Sequence, residues 1–308
     1  MAGQRVIIDT DPGVDDAVAI LLALASDELD VVAITTVAGN VDVDATTLNA
    51  RRLVELAGRP DVVVARGASV GLGGPVELSS KVHGVDGLGD LEWEEPAVGE
   101  HPGHAVELMA ELIEQGPLHI VAIGPLTNLA LLLERYPGID ERVAEVVIMG
   151  GASFEGNVNP AAEFNIWADP EGAERVFAGV WPITLMPLDL THQATLKDED
   201  FSYLRSLGSE VGRRVADMLE PYALFHDTWY GNRNVFMHDA MAVYEIIDPN
   251  AIAKRGVRVN VETGGAHSRG ATWIDRRRVH AESRVRVGLS VDNDRFVTLL
   301  RERLATYH

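Results

Sequence analysis

Six short segments of this chain are apolar and largely β-branched nearly throughout, and helical patterns lie between most of them. They cover residues 5–9, 31–37, 61–65, 119–123, 145–149 and 183–187. Strands without apolar–polar alternation are buried on both faces, the condition of a parallel sheet covered by helices. Between them, residues 14–26 place apolar side chains at 14, 17, 18, 21, 22 and 25, which is helical spacing. Residues 44–57, 105–115 and 126–135 follow the same pattern, and residues 169–178 open with Asp-Pro, a helix start. This order predicts an α/β fold: an open, mostly parallel, Rossmann-like sheet flanked by helices, with right-handed crossovers. Residues 197–238 read as helical, residues 257–261, 271–275 and 284–287 as later strands, and residues 292–304 as a closing helix. No composition shift marks a boundary, so the expectation is a single domain over 1–308. The stretch 67–100 is rich in Gly, Pro and charge and contains Val82-His83-Gly84, which favours a long functional loop over a linker.

Charge and composition exclude several roles. Acidic residues outnumber basic ones by 47 to 26, giving a net charge of −21. Such a field repels phosphate backbones and anionic membranes, so neither nucleic acid nor membrane is an expected partner. The chain has no cysteine, which removes disulfides, thiolate metal sites and a cysteine nucleophile. The opening residues run into a strand without a signal-peptide core. The longest apolar run, 17–25, is too short to span a bilayer. A soluble, cytoplasmic protein is expected.

The densest chemical signal is Val6-Ile7-Ile8-Asp9-Thr10-Asp11-Pro12-Gly13-Val14-Asp15-Asp16, with four carboxylates in eight residues after a strand. Ligands of open α/β sheets sit beyond the carboxyl ends of strands. One acid would serve as a helix cap, but four in one turn repel unless a cation lies among them. With oxygen ligands alone, a hard ion, Ca²⁺ or Mg²⁺, is expected. A second group, Asn157, Glu163, Phe164 and Asn165, follows the strand ending at Met149 and suits a polyhydroxylated ligand, although an Asx-turn loop is, taken alone, the simpler explanation. His238-Asp239 and Gly124-Pro125-Leu126-Thr127-Asn128 each open a helix, and capping would account for either.

Together these motifs resemble the inosine–uridine-preferring nucleoside hydrolase family. The likeness runs in order through Asp-Thr-Asp-Pro-Gly-Val-Asp-Asp, Thr36-Val37-Ala38-Gly39-Asn40, Val82-His83-Gly84 and Gly124 to Asn128. It continues through Met149-Gly150-Gly151, Asn157 to Asp169, Pro187 to His192, and His238-Asp239. The resemblance implies cleavage of the N-glycosidic bond of ribonucleosides to ribose and free base. It implies a single Ca²⁺ held by the carboxylates of Asp11, Asp16 and Asp239 and the backbone carbonyl of Thr127. Asp15 and Asn40 would hold ribose hydroxyls, and Asn157, Glu163 and Asn165 the far side of the sugar, lined by Met149 and Phe164. His83, His238 and Tyr230 would lie near the base, while His226 stands where some relatives have a tyrosine. Asp11 is the expected base toward a Ca²⁺-bound water, through an oxocarbenium-like transition state, and His238 the candidate leaving-group acid. A neutral His with a pKa near 6.5 suits that role. A homodimer or homotetramer is implied.

Two rivals remain at this point. Asp9-Thr10-Asp11 also resembles the haloacid dehalogenase-type phosphatases, whose first Asp is a nucleophile. A non-catalytic calcium- or ribose-binding protein on the hydrolase fold is the other.

Overall fold

A computed structural model describes residues 3–308; Met1 and Ala2, part of the segment read as free of a signal-peptide core, lie outside the described residues. Eight strands form the central sheet: β1 (Gln4–Thr10), β2 (Leu29–Thr36), β3 (Val63–Arg66), β4 (His119–Ala122), β5 (Glu145–Met149), β6 (Ile183–Met186), β7 (Ile252–Gly256) and β8 (Val285–Val291). Their order across the sheet is β3-β2-β1-β4-β5-β6-β8-β7. All pair in parallel except β7, which runs antiparallel to β8 at the edge. The order reverses direction between β1 and β4, and there the ends of neighbouring strands open a crevice.

The apolar strands are buried on both faces, as their composition requires. Val6 and Ile8 of β1 join one core, and Ile7 joins the other. The first core is covered by α1 (Val14–Leu24) and α2 (Val43–Leu56). The second is covered by α3 (Ala105–Glu114), α4 (Thr127–Arg135) and α5 (Pro170–Ala178). The helices α6 (Asp198–Ser206), α7 (Glu210–Tyr230), α8 (Ala240–Ile247) and α9 (Asn293–Leu304) return to the first face. Of these, α7, α8 and α9 pack against α1, and every residue of α1 is buried, including Asp15 and Asp16. The helical spacing of residues 14–25 therefore marks one buried side of a helix that is buried all round.

Three expectations change. The helical stretch 197–238 is two helices, interrupted where Gly208 adopts a positive φ of 73°, a conformation that disfavours side chains with a Cβ. It ends in a short strand, Val235–Phe236, paired with Thr195–Leu196. The strands expected at 257–261 and 271–275 form a separate antiparallel ribbon, Arg258–Val261 with Thr272–Asp275, outside the central sheet. Strand β7 is not expected from the sequence. It carries Lys254 and Arg255, and charged residues of that kind keep an edge strand from pairing further. The 67–100 segment is a long loop, as expected, with one short helix at Ser80–His83.

Candidate active site

A cavity of about 380 Å³ opens at the crevice, within the size range of small-molecule pockets. Its floor is acidic. Carboxylate oxygens of Asp15, Asp16 and Asp239 lie within 4.8 Å of one another, and all three residues are buried. Asp15 and Asp16 open α1. Asp16 also closes the turn before it, accepting the Gly13 N–H through Oδ2 (2.9 Å) and the Thr10 hydroxyl through Oδ1. Asp239 precedes α8 but makes no side-chain capping bond, so the helix-cap explanation fails for it. Asp11 lies behind this group at 0% exposure. Its Oδ2 accepts the Asn40 N–H (2.7 Å), and its Oδ1 is buried without a partner.

These acids are electrostatically frustrated. Burial, then repulsion from Asp16, pushes Asp11 and Asp15 well above the usual carboxylate range. Burial with repulsion from Asp15, Asp16 and Asp11 does the same to Asp239. Among the described residues no lysine or arginine pairs with them. The basic side chain beside them is His83, whose Nδ1 is 3.8 Å from Asp15 Oδ1. That nitrogen accepts the Val14 N–H (3.1 Å), and burial followed by the charge of His226 lowers the ring's pKa to about 3. His83 is therefore neutral. A buried, all-oxygen cluster with one orphaned carboxylate oxygen fits a hard divalent cation.

The structure corrects one member of the cluster. Asp9 is on the opposite face of β1, where its Oδ1 accepts from Thr35 Oγ1 (2.7 Å) and Asn128 Nδ2 (2.8 Å). Side chains alternate across a strand, so Asp9 follows Ile7 while Thr10 follows Ile8. The fourth acid is instead Asp239, distant in sequence. This also removes the phosphatase rival, whose nucleophile would be Asp9.

The cavity walls contain Asp15, Asn40, His83, Met149, Asn157, Glu163, Phe164, Asn165, Tyr230 and His238, together with Asp16 and Asp239. Asp11 and Thr127 lie behind the walls, fully buried. Glu163 accepts the N–H groups of Gly151 (2.8 Å), Asn165 (2.8 Å) and Ile166 (3.2 Å). It thereby caps a short helix, Phe164–Ala168. Asn165 Nδ2 donates to the carbonyls of Ile123 (3.0 Å) and Met149 (3.2 Å), which leaves its Oδ1 without a donor among the described residues. Asn157 Oδ1 accepts the Phe164 N–H (2.9 Å). The turn explanation and the ligand explanation thus hold together: Asn157 and Asn165 each spend one end of the amide on the protein, whereas both oxygens of Glu163 accept backbone N–H groups.

The other end is aromatic. Tyr222, His226 and Tyr230 lie one above another on α7 and line the cavity with Phe225 and Trp229; the Tyr222 and His226 rings are 4.6 Å apart. Tyr222, Phe225, Trp167 and Trp229 are site residues that the sequence motifs do not single out. The spacing 222, 226, 230 is the available signal, since residues four apart share a helix face. His238 Nδ1 is 2.7 Å from Thr191 Oγ1, which leaves Nε2 as its free nitrogen. Burial, then the charges of His192, His226 and His83, pushes His238 well below the ordinary histidine value. The expected titration near 6.5 is therefore corrected: the ring is neutral near pH 7.

The family model for inosine-uridine preferring nucleoside hydrolases matches residues 6–298. The chain belongs to this family. As a nucleoside hydrolase it cleaves ribonucleosides to ribose and free base. It is 40% identical over 308 residues to a pyrimidine-specific ribonucleoside hydrolase RihA of Photobacterium profundum, covering 99% of both chains. It is 41% identical over 306 residues to that of Citrobacter koseri, covering 98% of both. Among solved structures, the plant nucleoside hydrolase PpNRh1 superposes with a TM-score of 0.93 at 36% identity, over 98% of this chain and 99% of that one. Among the described residues, no helix of this hydrolase is long and apolar enough to cross a membrane.

Proposed function

We propose that this hydrolase cleaves pyrimidine ribonucleosides by direct attack of water at C1′, with one Ca²⁺ held by Asp11, Asp16 and Asp239. The observation that carries the reading is the buried acidic cluster, with Asp11 Oδ1 unpartnered, at the floor of a nucleoside-sized cavity. The pyrimidine preference is supported by the relatives of that name at 40% and 41% identity. When bound, the ion would neutralise the acids, orient the 2′- and 3′-hydroxyls and lower the pKa of a water.

The chain's own residues do the rest. Asn40 spends its side-chain N–H groups on Asp11 O (3.1 Å) and Asp16 Oδ2 (3.2 Å), so its Oδ1 is left to accept a ribose hydroxyl. Asp15 accepts another. On the far side, Asn165 Oδ1 and Glu163 accept, and Asn157 Nδ2 donates. Breaking the C1′–N bond builds positive charge on the ring, and these oxygens stabilise it more than they stabilise neutral substrate. Asp11 Oδ1 takes the proton of the attacking water. The base lies among Tyr222, His226, Tyr230 and His238. His238, neutral and held at Nδ1 by Thr191, offers the departing base a hydrogen bond from Nε2.

A panel of uridine, cytidine and inosine, scored for ribose and free base, tests the assignment. Uridine and cytidine are expected to be cleaved, with activity lost to a chelator and restored by Ca²⁺. No ribose from any nucleoside would leave the non-catalytic binding protein as the reading. His238→Ala is expected to lower kcat more for uridine or inosine than for p-nitrophenyl riboside, whose leaving group needs no assistance. Equal losses count against His238 as a leaving-group donor. The reading includes one domain over residues 1–308 in a homodimer or homotetramer, which sedimentation equilibrium distinguishes.

A further inference from the structure

The loop that carries His83 is closed on itself. Asp90 Oδ1 accepts the N–H groups of Val85 (2.7 Å) and Asp86 (3.2 Å). Asp86 Oδ1 accepts those of Leu88 (2.8 Å) and Asp90 (2.9 Å), and the His83 carbonyl accepts that of Gly89 (2.9 Å). Residues 83–90 are thereby tied into one body. Asn49, on α2 and 1% exposed, fastens this body to the acidic turn. Its Nδ2 donates both to the Asp86 carbonyl (2.7 Å) and to the Pro12 carbonyl (3.2 Å). The approach is close: a Cβ on Gly87, where φ is 86°, would lie 2.9 Å from Asn49 Nδ2 and 3.0 Å from the Pro12 carbonyl oxygen. The other end of the body meets the same turn through His83. Its Nδ1 accepts the Val14 N–H (3.1 Å), and a Cβ on Gly13 would lie 2.9 Å from that nitrogen. With Nδ1 committed as an acceptor, the neutral ring carries its proton on Nε2. His83 lines the cavity.

We infer that Asn49 is a positioning residue for the reaction: by bridging Asp86 and Pro12 it seats His83 on the turn between Asp11 and Asp15, with Nε2–H offered to the nucleoside. The inference rests on the reading of the cavity as the nucleoside site. Asn49 does not itself line the cavity, so its replacement removes no substrate contact. What it supplies is two N–H donors aimed at two carbonyls. A carboxylate in its place keeps the shape and the acceptor for Arg52 Nη1 (3.2 Å), but leaves both carbonyls without a donor. A misplacement of about 1 Å, caused away from the chemistry, costs about 100-fold in rate.

The test is a double-mutant cycle read as kcat/KM for uridine on the full, calcium-supplied chain, with far-UV circular dichroism confirming the fold at the assay temperature. Asn49→Ala and Asn49→Asp are each expected to lose about 100-fold, and His83→Ala at least as much. The double variant Asn49→Ala with His83→Ala is expected to stay within about twofold of His83→Ala alone, because a residue that acts through another has nothing left to lose once that other is gone. Arg51 is the control. It lies on the same helix and holds the far end of the same segment, donating to the carbonyls of Val98 (2.7 Å) and Pro96 (3.2 Å). Arg51→Ala is expected to lower Tm while kcat/KM stays near wild type, which separates positioning from general loosening. Gly87→Ala disturbs the same contact from the loop side, is expected to match Asn49→Ala, and serves should the Asn49 variants fail to fold. Wild-type kcat/KM in Asn49→Ala or in His83→Ala overturns the inference. So does a double variant whose loss is the product of the two single losses, which would assign the effect of Asn49 elsewhere than His83. Wild-type protein that releases no ribose would sink the nucleoside reading itself, a result distinct from either.

Discussion

Replacing Asp11 with alanine is expected to lower kcat by about 10³-fold or more at saturating calcium, in the range that loss of a general base produces, while nucleoside binding survives in part. The expectation follows from how the site divides its labour. Asp11 does not line the cavity, whereas Asp15, Asn40, Glu163 and Asn165 do. Removing Asp11 therefore leaves most sugar contacts in place. What disappears is the one carboxylate oxygen of the cluster that is buried and unpartnered. The surroundings are shaped to this side chain: a Cβ on Gly39 would collide with Asp11 Oδ2, and one on Gly124 would lie 2.6 Å from Oδ1. Asp11→Asn retains that shape and removes only the capacity to accept a proton and a share of the charge. It is expected to lose turnover to a similar degree. Steady-state kinetics with uridine, alongside calorimetric binding of the nucleoside to each variant, provides the comparison. Turnover near the wild-type rate in either variant removes Asp11 as the base.

The parts of the molecule legible in the sequence are those fixed by local pattern. The six parallel strands stand out because burial on both faces forbids polar residues along them, and the acid-rich turn after β1 stands out because so many carboxylates rarely share one turn. Strand β7 was not legible, because an edge strand has one open side and tolerates Lys254 and Arg255. The separate ribbon Arg258–Val261 with Thr272–Asp275 was legible as strands but not as lying outside the sheet, since pairing partners are set by tertiary packing. Asp9 shows the same limit within the site. Its position two residues before Asp11 suggested a shared face, since residues two apart line one face of a strand, but β1 ends at Thr10 and the turn that follows carries Asp11 out of the strand's alternation. The wall formed by Tyr222, His226 and Tyr230 was partly legible. Helical spacing groups the three, but only the packing of α7 against the crevice shows that this face meets the cavity. The neutral state of His83 and His238 was not legible at all, because it arises from burial and from neighbours far apart in the chain.

Removing calcium is expected to cost the protein stability by an amount that grows as pH rises above the acids' unfolded value of 3.8, and restoring calcium should remove most of that pH dependence. The sign follows from the cluster. In the metal-free fold, burial and mutual repulsion hold Asp11, Asp15 and Asp239 well above their unfolded value of 3.8. Such groups keep protons in the folded state that the unfolded chain has already released, so stability falls as pH rises toward their folded pKa values. Below pH 6.5 the buried histidines work the other way. His83 and His226, lowered to about 3 and about 4, are neutral when folded and protonated when unfolded, so stability rises with pH until about 6.5. Above that they are silent. Asp9 and Glu245, each raised to about 7, are half ionised at pH 7 and add only a small slope beyond it, the same with and without the ion. The difference between the curves with and without calcium therefore isolates the cluster. A tenfold difference in proton affinity between folded and unfolded chain is worth about 1.4 kcal/mol, so the gap in Tm between calcium-loaded and chelated protein is expected to widen as pH rises. With the ion bound, the cluster is ionised in the folded and unfolded states alike, and its share of the slope disappears. Calcium at 100 times its Kd adds about 2.7 kcal/mol by mass action. Differential scanning calorimetry at matched ionic strength, with chelator and with excess calcium, gives both curves. If the two curves coincide at every pH, the acids carry no cation, and the calcium assignment falls with them.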